Sequence, residues 1–197
     1  MEDAVDAPEA EAVVEEAEFA GPWLDYMVDV ETGGLHPDAC PMIQLAIVRF
    51  SLEGKAIHSI FKMSLLEDLP GRRWDASTQD WWSSMPDVYQ KIVAVAAPSR
   101  TVMEEAVNFV CRDGAGPYTR RFWAKPTHFD WAFFNSYLTQ LGLMSPFHFR
   151  EATDVNSYIR GRGHWDGKAF WANVAPVGDA HDALNDCLYQ IRGLFNA

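Results

Sequence analysis

Cysteine is scarce in this chain of 197 residues: Cys40, Cys111 and Cys187 are odd in number, far apart and in no C-x-x-C pair. That pattern excludes a disulfide framework and a zinc knuckle, and three reduced thiols in a reducing compartment is the plain reading. Long apolar runs are missing as well. No stretch approaches the ~20 apolar residues of a membrane-spanning helix, and the first residues are acidic rather than basic and then apolar. The expectation is a cytoplasmic protein, or one of the host cytoplasm if phage-encoded, with no membrane partner. The third shortage is positive charge. Sixteen Lys and Arg against 28 Asp and Glu give a net charge of -12. Eight of those acids lie in residues 1–18, which hold no Lys or Arg, so only -4 belongs to residues 19–197. Carboxylates that hold divalent metal reverse the local field, so the acidic balance does not exclude a phosphate substrate.

What remains is globular in composition, 48% hydrophobic and 13% aromatic, and of a length that suits one domain over residues 19–197. Residues 1–18, an Ala/Glu/Asp/Val mixture without a Trp or Tyr, read as a disordered or fraying acidic tail. No internal repeat is present. Residues 23–30 and 41–50 predict two strands, and residues 52–55 a tight turn into a third strand over 56–63, paired antiparallel. Residues 72–97 have helical character, split at Pro86 and stopped by Pro98. Thr101 with Glu104 three residues on predicts a capping box opening a helix to Cys111. A short strand over 121–124, a helix over 129–141, a strand or loop over 147–154, a short helix over 155–160 and a last helix over 181–195 complete the chain. The predicted class is α/β, a mixed five-stranded sheet flanked by helices on both faces. Val28, Val30, Leu45, Ile47, Leu138, Leu141, Leu184 and Leu188 read as core.

Three fragments carry chemistry. In Tyr26-Met27-Val28-Asp29-Val30-Glu31-Thr32-Gly33-Gly34 the period of a strand puts Asp29 and Glu31 on the same face at its carboxyl end. Two anions so close repel, and a hard cation relieves the repulsion most simply. Asp130 stands near the start of the middle helix, and His181 precedes Asp186 by five residues at the start of the last one. Taken alone, the Asp29–Glu31 pair reads as two solvated acids and His181 as a surface residue, while Asp130 reads equally as an acid favoured by the helix dipole.

Together, D-x-E at a strand end, D opening a middle helix and H-x-x-x-x-D on the last helix resemble the DEDDh branch of the DnaQ-like 3'-5' exonuclease superfamily, with its ribonuclease-H-like fold. The resemblance covers residues 23–195. It implies metal ligands Asp29, Glu31, Asp130 and Asp186, two Mg²⁺ or Mn²⁺ ions, and His181 as the general base that takes a proton from the attacking water. Asp179 and Asp182 match no ligand of the family and read as cap or surface acids. Asn185 stands where relatives often carry an acid that is not a ligand. A phosphodiester needs its charge neutralised, a nucleophile supplied and its leaving oxygen stabilised, and two divalent ions about 4 Å apart supply all three.

A Trp pair after the third strand, Trp81-Trp82, looks like the small phage exonucleases and the mycobacterial-type exoribonucleases. Adjacent helical residues point about 100° apart, so one Trp suits the core and the other a substrate groove. Thr32, Gly33, Gly34 and Leu35 are candidate contacts to the terminal nucleotide, with Phe129 beside the second motif; Leu35 reads equally as an ordinary loop residue. Basic residues gather at Arg72-Arg73, Arg120-Arg121-Lys125 and Arg160, Arg162, Lys168. The Gly-rich stretch 160–165, with Arg162, is a candidate phosphate-contacting loop. The expected activity is 3'-5' hydrolysis of single-stranded RNA or DNA, RNA favoured, with a homodimer left open. The alternative is a catalytically silent module that binds nucleic acid or protein on the same fold; all five catalytic positions being filled argues against it.

Overall fold

In the computed structural model, which describes residues 24–197, the chain is organised around β1 (Leu24–Thr32). The acidic segment 1–18 lies outside the described residues. β2 (Met42–Ser51) runs antiparallel to β1, and β3 (Ala56–Ser64) antiparallel to β2. On the other side of β1 lie β4 (Arg120–Ala124) and β5 (Ala152–Asp154), both parallel. The sheet order is β3-β2-β1-β4-β5, the expected mixed five-stranded sheet.

A central strand must bury both faces, and β1 does so by parity. Tyr26, Val28 and Val30 enter one core with Val102, Ala106 and Val110 of α3 (Ser99–Cys111) and Phe133, Phe134, Tyr137 and Leu138 of α4 (Thr127–Leu141). Met27 enters the opposite core with Val155 and Ile159 of α5 (Val155–Gly161) and Cys187, Ile191 and Leu194 of α7 (Ala183–Asn196). Val28, Val30, Leu45, Ile47, Leu138 and Leu141 are buried as expected. Leu184 and Leu188 pack at the margin of the second core, partly buried. The odd residues 25, 27, 29 and 31 therefore share the α7 face. That places two acids opposite the last helix.

The predicted helical stretch 72–97 resolves into α1 (Ala76–Ser83) and α2 (Pro86–Val93), split where Pro86 begins the second helix. The predicted capping box does not form. α3 begins earlier, at Ser99, where the Asp68 carboxylate accepts the Ser99 amide from outside the helix at 3.2 Å and Glu104 pairs instead with Arg100 at 3.1 Å. A tertiary acceptor reached the first amide, leaving Thr101 inside the helix. α6 (Gly167–Ala172) falls in a stretch for which no element was expected. All three cysteines are free, Cys40 and Cys187 buried and Cys111 exposed. Among the described residues no helix is long and apolar enough to cross a membrane.

Candidate active site

The pairing of β4 with β1 ends at Met27, so Asp29 and Glu31 project beyond the edge of β4, where the chain turns into α4. There the backbone amide of Val30 donates to Asp130 Oδ1 at 3.0 Å. One bond thus ties the first helical turn of α4 to the strand between the two acids, and it explains why Asp130 is buried rather than a solvated first-turn acid. From the other face, α7 supplies Asp186 and, one turn on, Gln190, whose Nε2 donates to Asp29 Oδ1 at 2.7 Å. Gln44, opposite Glu31 in the sheet, accepts the amide of Ala183 at 2.8 Å and so fixes the start of α7 beside Glu31.

His181 precedes this helix in the left-handed region, φ 61°. A non-glycine residue there costs about 1 kcal/mol, and the strain is held by its amide donating to Asp186 Oδ2 at 3.2 Å. The conformation sets the imidazole edge-on to Trp81, ring centroids 4.6 Å apart. One ligand atom each from Glu31, His181 and Asp186 falls within a 4.8 Å span. Asp182 is the N-cap of α7, accepting from the Asn185 amide at 3.3 Å and pairing with Lys62; Asp179 pairs with Lys91 at 2.9 Å. Both acids serve as caps and surface pairs, as expected.

Electrostatically the cluster is unfavourable as it stands. Burial raises the Asp29 carboxyl well above the ordinary range, and the charges of Asp130, Glu31 and Asp186 raise it further. Glu31 is raised well above its usual value by burial and then by Asp186 and Asp130, and Asp186 is raised by burial. Asp130 is pushed up to about 8, chiefly by burial. Unfolded carboxyls ionise near pH 4. Between about pH 4 and pH 8 the metal-free folded protein therefore holds more protons than the unfolded chain, and its stability falls as pH rises. We expect the melting temperature in EDTA to drop from about pH 5 to about pH 9, less steeply in Asp130→Asn, and to recover with Mn²⁺. A flat profile in EDTA would refute the carboxyl shifts.

The donor set fits hard divalent cations: buried acids in mutual repulsion, no Lys or Arg in salt-bridge contact with them among the described residues, and a buried Gln190 Oε1 without a partner. Gln190 escaped the sequence reading, although its helical spacing of four from Asp186 was the available signal. Gln190→Leu should lower Mn²⁺ affinity by ~10–100-fold, the usual cost of losing an outer-shell partner. The buried Asp29 carboxyl also loses its bond from Gln190 Nε2, so the EDTA melt should fall as well, and calorimetric titration of the folded variant with Mn²⁺ checks the affinity.

The candidate substrate residues divide. Trp82 is buried, its Nε1 donating to the Thr32 carbonyl at 3.0 Å, so it braces the loop after β1 instead of lining a groove. Trp81 is 41% exposed beside His181. The Thr32 hydroxyl donates to the Gly34 carbonyl at 2.7 Å. Gly33 and Gly34 are both required by packing. A Cβ on Gly33 would lie 2.7 Å from the Trp74 ring and from Pro41, and one on Gly34 would lie 2.4 Å from Cys40 Sγ and 2.5 Å from Asp75 Oδ2. Asp75, unnoticed in the sequence, accepts the Leu35 amide at 3.2 Å, and Leu35 projects with 70% exposure. Phe129 packs on Phe133, ring centroids 4.9 Å apart, at the margin of the first core.

Three of the clustered arginines are structural. Arg72 donates to the Pro37 and Cys40 carbonyls and lies over Tyr137; Arg120 is buried on Asp113; Arg121 pairs with Asp25 at 2.6 Å. The Gly-rich stretch is not a phosphate loop over the acids. Arg162 Nε donates to the Ala197 carbonyl at 3.4 Å, beyond the far end of α7, and eleven residues separate Ala197 from Asp186, about 16 Å along a helix. Gly163, His164 and Trp165 line a surface cavity of about 480 Å³ with Phe170 and Asn173, away from the carboxylates.

Solved structures share this fold at low identity. The cell-death related nuclease CRN-4 superimposes with a TM-score of 0.68 at 18% identity, over 89% of this chain and 64% of that one. Zinc-bound E. coli ExoI in complex with ssDNA gives 0.67 at 13%, over 88% and 40%. The nuclease domain of 3'hExo, a DEDDh family member bound to rAMP, gives 0.65 at 14%, over 88% and 90%. The chain thus spans less than two thirds of the length of CRN-4 and well under half of ExoI. No curated protein matches the sequence. The family model of the Rv2179c-like 3'-5' exoribonuclease domain matches residues 24–195, nearly the whole of the described chain, and the protein belongs to that family.

Proposed function

We propose that this protein removes nucleotides one at a time from the 3' end of single-stranded nucleic acid, RNA in preference to DNA, with Asp29, Glu31, Asp130 and Asp186 holding two Mg²⁺ or Mn²⁺ ions. The observation that carries the reading is the convergence, on one end of β1, of four acids from three elements with His181 against an exposed Trp81. Membership of an exoribonuclease family supports the RNA preference, and the ssDNA complex of ExoI supports a single-stranded substrate.

The bound ions would neutralise the phosphate and lower the pKa of water for attack. Every other task falls to the chain. His181, beside Glu31 and Asp186, takes the proton from the attacking water. As the water oxygen bonds to phosphorus the bond to the 3'-oxygen breaks and that oxygen takes up a proton from solvent, giving a nucleoside 5'-monophosphate and a strand shortened by one residue with a free 3'-hydroxyl. Gln190 holds the Asp29 carboxylate in orientation. Leu35, projecting from a loop pinned by Asp75 and Trp82, and Trp81 offer apolar surfaces to the terminal bases. A 5'-labelled single-stranded RNA and its DNA twin, incubated with Mg²⁺ or with EDTA, test the reading. A ladder shortening from the 3' end, faster on RNA and abolished by EDTA, is expected; no shortening of either strand overturns it.

A further inference from the structure

The turn between β4 and α4 carries a lysine that the catalytic constellation leaves unused. Lys125 follows the last residue of β4 and lies five residues before Asp130. Its Nζ stands 3.9 Å from the centroid of the Trp171 ring and 5.4 Å from that of Tyr189. The shelf beneath it is built for the purpose. Tyr189 lies on α7 between Asp186 and Gln190, and its hydroxyl donates to the Trp171 carbonyl at 3.0 Å. Trp171 Nε1 donates to Asn156 Oδ1 at 3.1 Å, and Gly193 lets the indole dock, since a Cβ there would lie 2.4 Å from its ring. Stacking on aromatic faces aligns the ammonium without consuming its three N–H donors. Among the described residues no oxygen accepts a hydrogen bond from Lys125 and no carboxylate lies in salt-bridge contact with it.

A cation that is mostly withdrawn from water and held by ring faces alone is under-compensated, because cation–π attraction is weaker than the hydration it replaces. Burial pulls the Lys125 ammonium below its ordinary pKa, while the Asp186 and Asp29 carboxylates, close enough to be felt, hold it up. Those carboxylates are also the ones assigned to divalent ions. Once they are so engaged, Lys125 becomes a fixed positive charge at the edge of a neutralised cluster. One anion is then missing from the site, and the substrate brings it.

We propose that Lys125 is a phosphate-binding residue of this active site, its ammonium donating to a non-bridging oxygen of the scissile phosphate, the group that departs as the 5'-phosphate of the released nucleotide. The assignment rests on the exonuclease reading above. It also gives the Trp171–Tyr189 pair a function: an orienting shelf for a catalytic cation. The competing role is a permanent counter-charge to the acids, which would act on metal affinity and not on phosphate.

Calorimetric titration of adenosine 5'-monophosphate and of adenosine into the Mn²⁺-loaded protein separates the two. Wild type should bind the monophosphate more tightly than the nucleoside. Lys125→Met should cut that ratio by about tenfold or more, the scale of a charge-assisted hydrogen bond, and leave adenosine affinity unchanged. Turnover of a single-stranded RNA should fall by about 10²-fold in the same variant, and Lys125→Arg should retain part of the phosphate preference. Lys125→Gln is read by the same criterion if the methionine variant does not fold. An unchanged ratio in the neutral variant, with or without tighter Mn²⁺ binding, overturns the proposal, as does a wild type that does not distinguish the two ligands. If wild type releases no mononucleotide at all, the exonuclease reading falls and the assignment with it. If it does while the ratio stays unchanged, only the assignment falls.

Discussion

Asp29→Ala is expected to lose turnover by about three powers of ten or more, the kinetic equivalent of several kcal/mol of transition-state charge stabilisation. Asp29 lies at the centre of the cluster, bonded by Gln190 and pressed by the charges of Asp130, Glu31 and Asp186. Its removal should lower Mn²⁺ affinity by more than the ~10–100-fold loss expected for the Gln190 variant, since a ligand and not its partner is lost. It should also raise the melting temperature in EDTA, because an acid whose ionisation burial and three neighbours oppose is gone. Calorimetry with Mn²⁺ and a paired melt read these three effects. Unchanged Mn²⁺ affinity would refute the ligand role outright, whatever happened to activity.

His181→Ala is expected to separate chemistry from binding. Loss of a general base costs ~10²–10⁴-fold in turnover. The side chain makes no hydrogen bond that holds the acids; it is the His181 amide that donates to Asp186, and alanine keeps the amide. Mn²⁺ affinity and binding of a single-stranded oligonucleotide should therefore stay close to wild type. The span shared by Glu31, His181 and Asp186 also permits the imidazole to act as a metal ligand. Loss of Mn²⁺ affinity in the variant would sink the general-base assignment in favour of that one.

Part of the acid cluster was legible because its placement is local. Strand parity puts Asp29 and Glu31 on one face, and sequence spacing puts Asp186 in the first turn of α7 with His181 just ahead of it. The Trp pair was half legible. A 100° separation says that two adjacent indoles cannot share an environment, but not which one is buried, and only the Thr32 carbonyl in reach of Trp82 decided it. The packing role of Gly33 and Gly34 was not legible. Their neighbours are Trp74, Asp75, Pro41 and Cys40, and the first two lie some forty residues on. The roles of the clustered arginines were not legible for a related reason. A guanidinium is equally suited to phosphate and to buried carbonyls and carboxylates, and in Arg72, Arg120 and Arg121 the protein uses the second capacity.

By itself the sequence determined the α/β class, the acids at the end of β1 and the order of the three motifs, all of them properties of periodicity and spacing. Tertiary structure alone decided what surrounds those acids. Gln190 reaches Asp29 across 161 residues of chain, Gln44 reaches the first amide of α7 across 139, and Asp130 reaches the Val30 amide across 100. Contacts of that span follow from how α4 and α7 dock on opposite faces of one strand, and docking depends on the packing of both cores at once. A strand end with two acids is common; the structure turns this one into a closed, repelling cluster beside a shelved lysine.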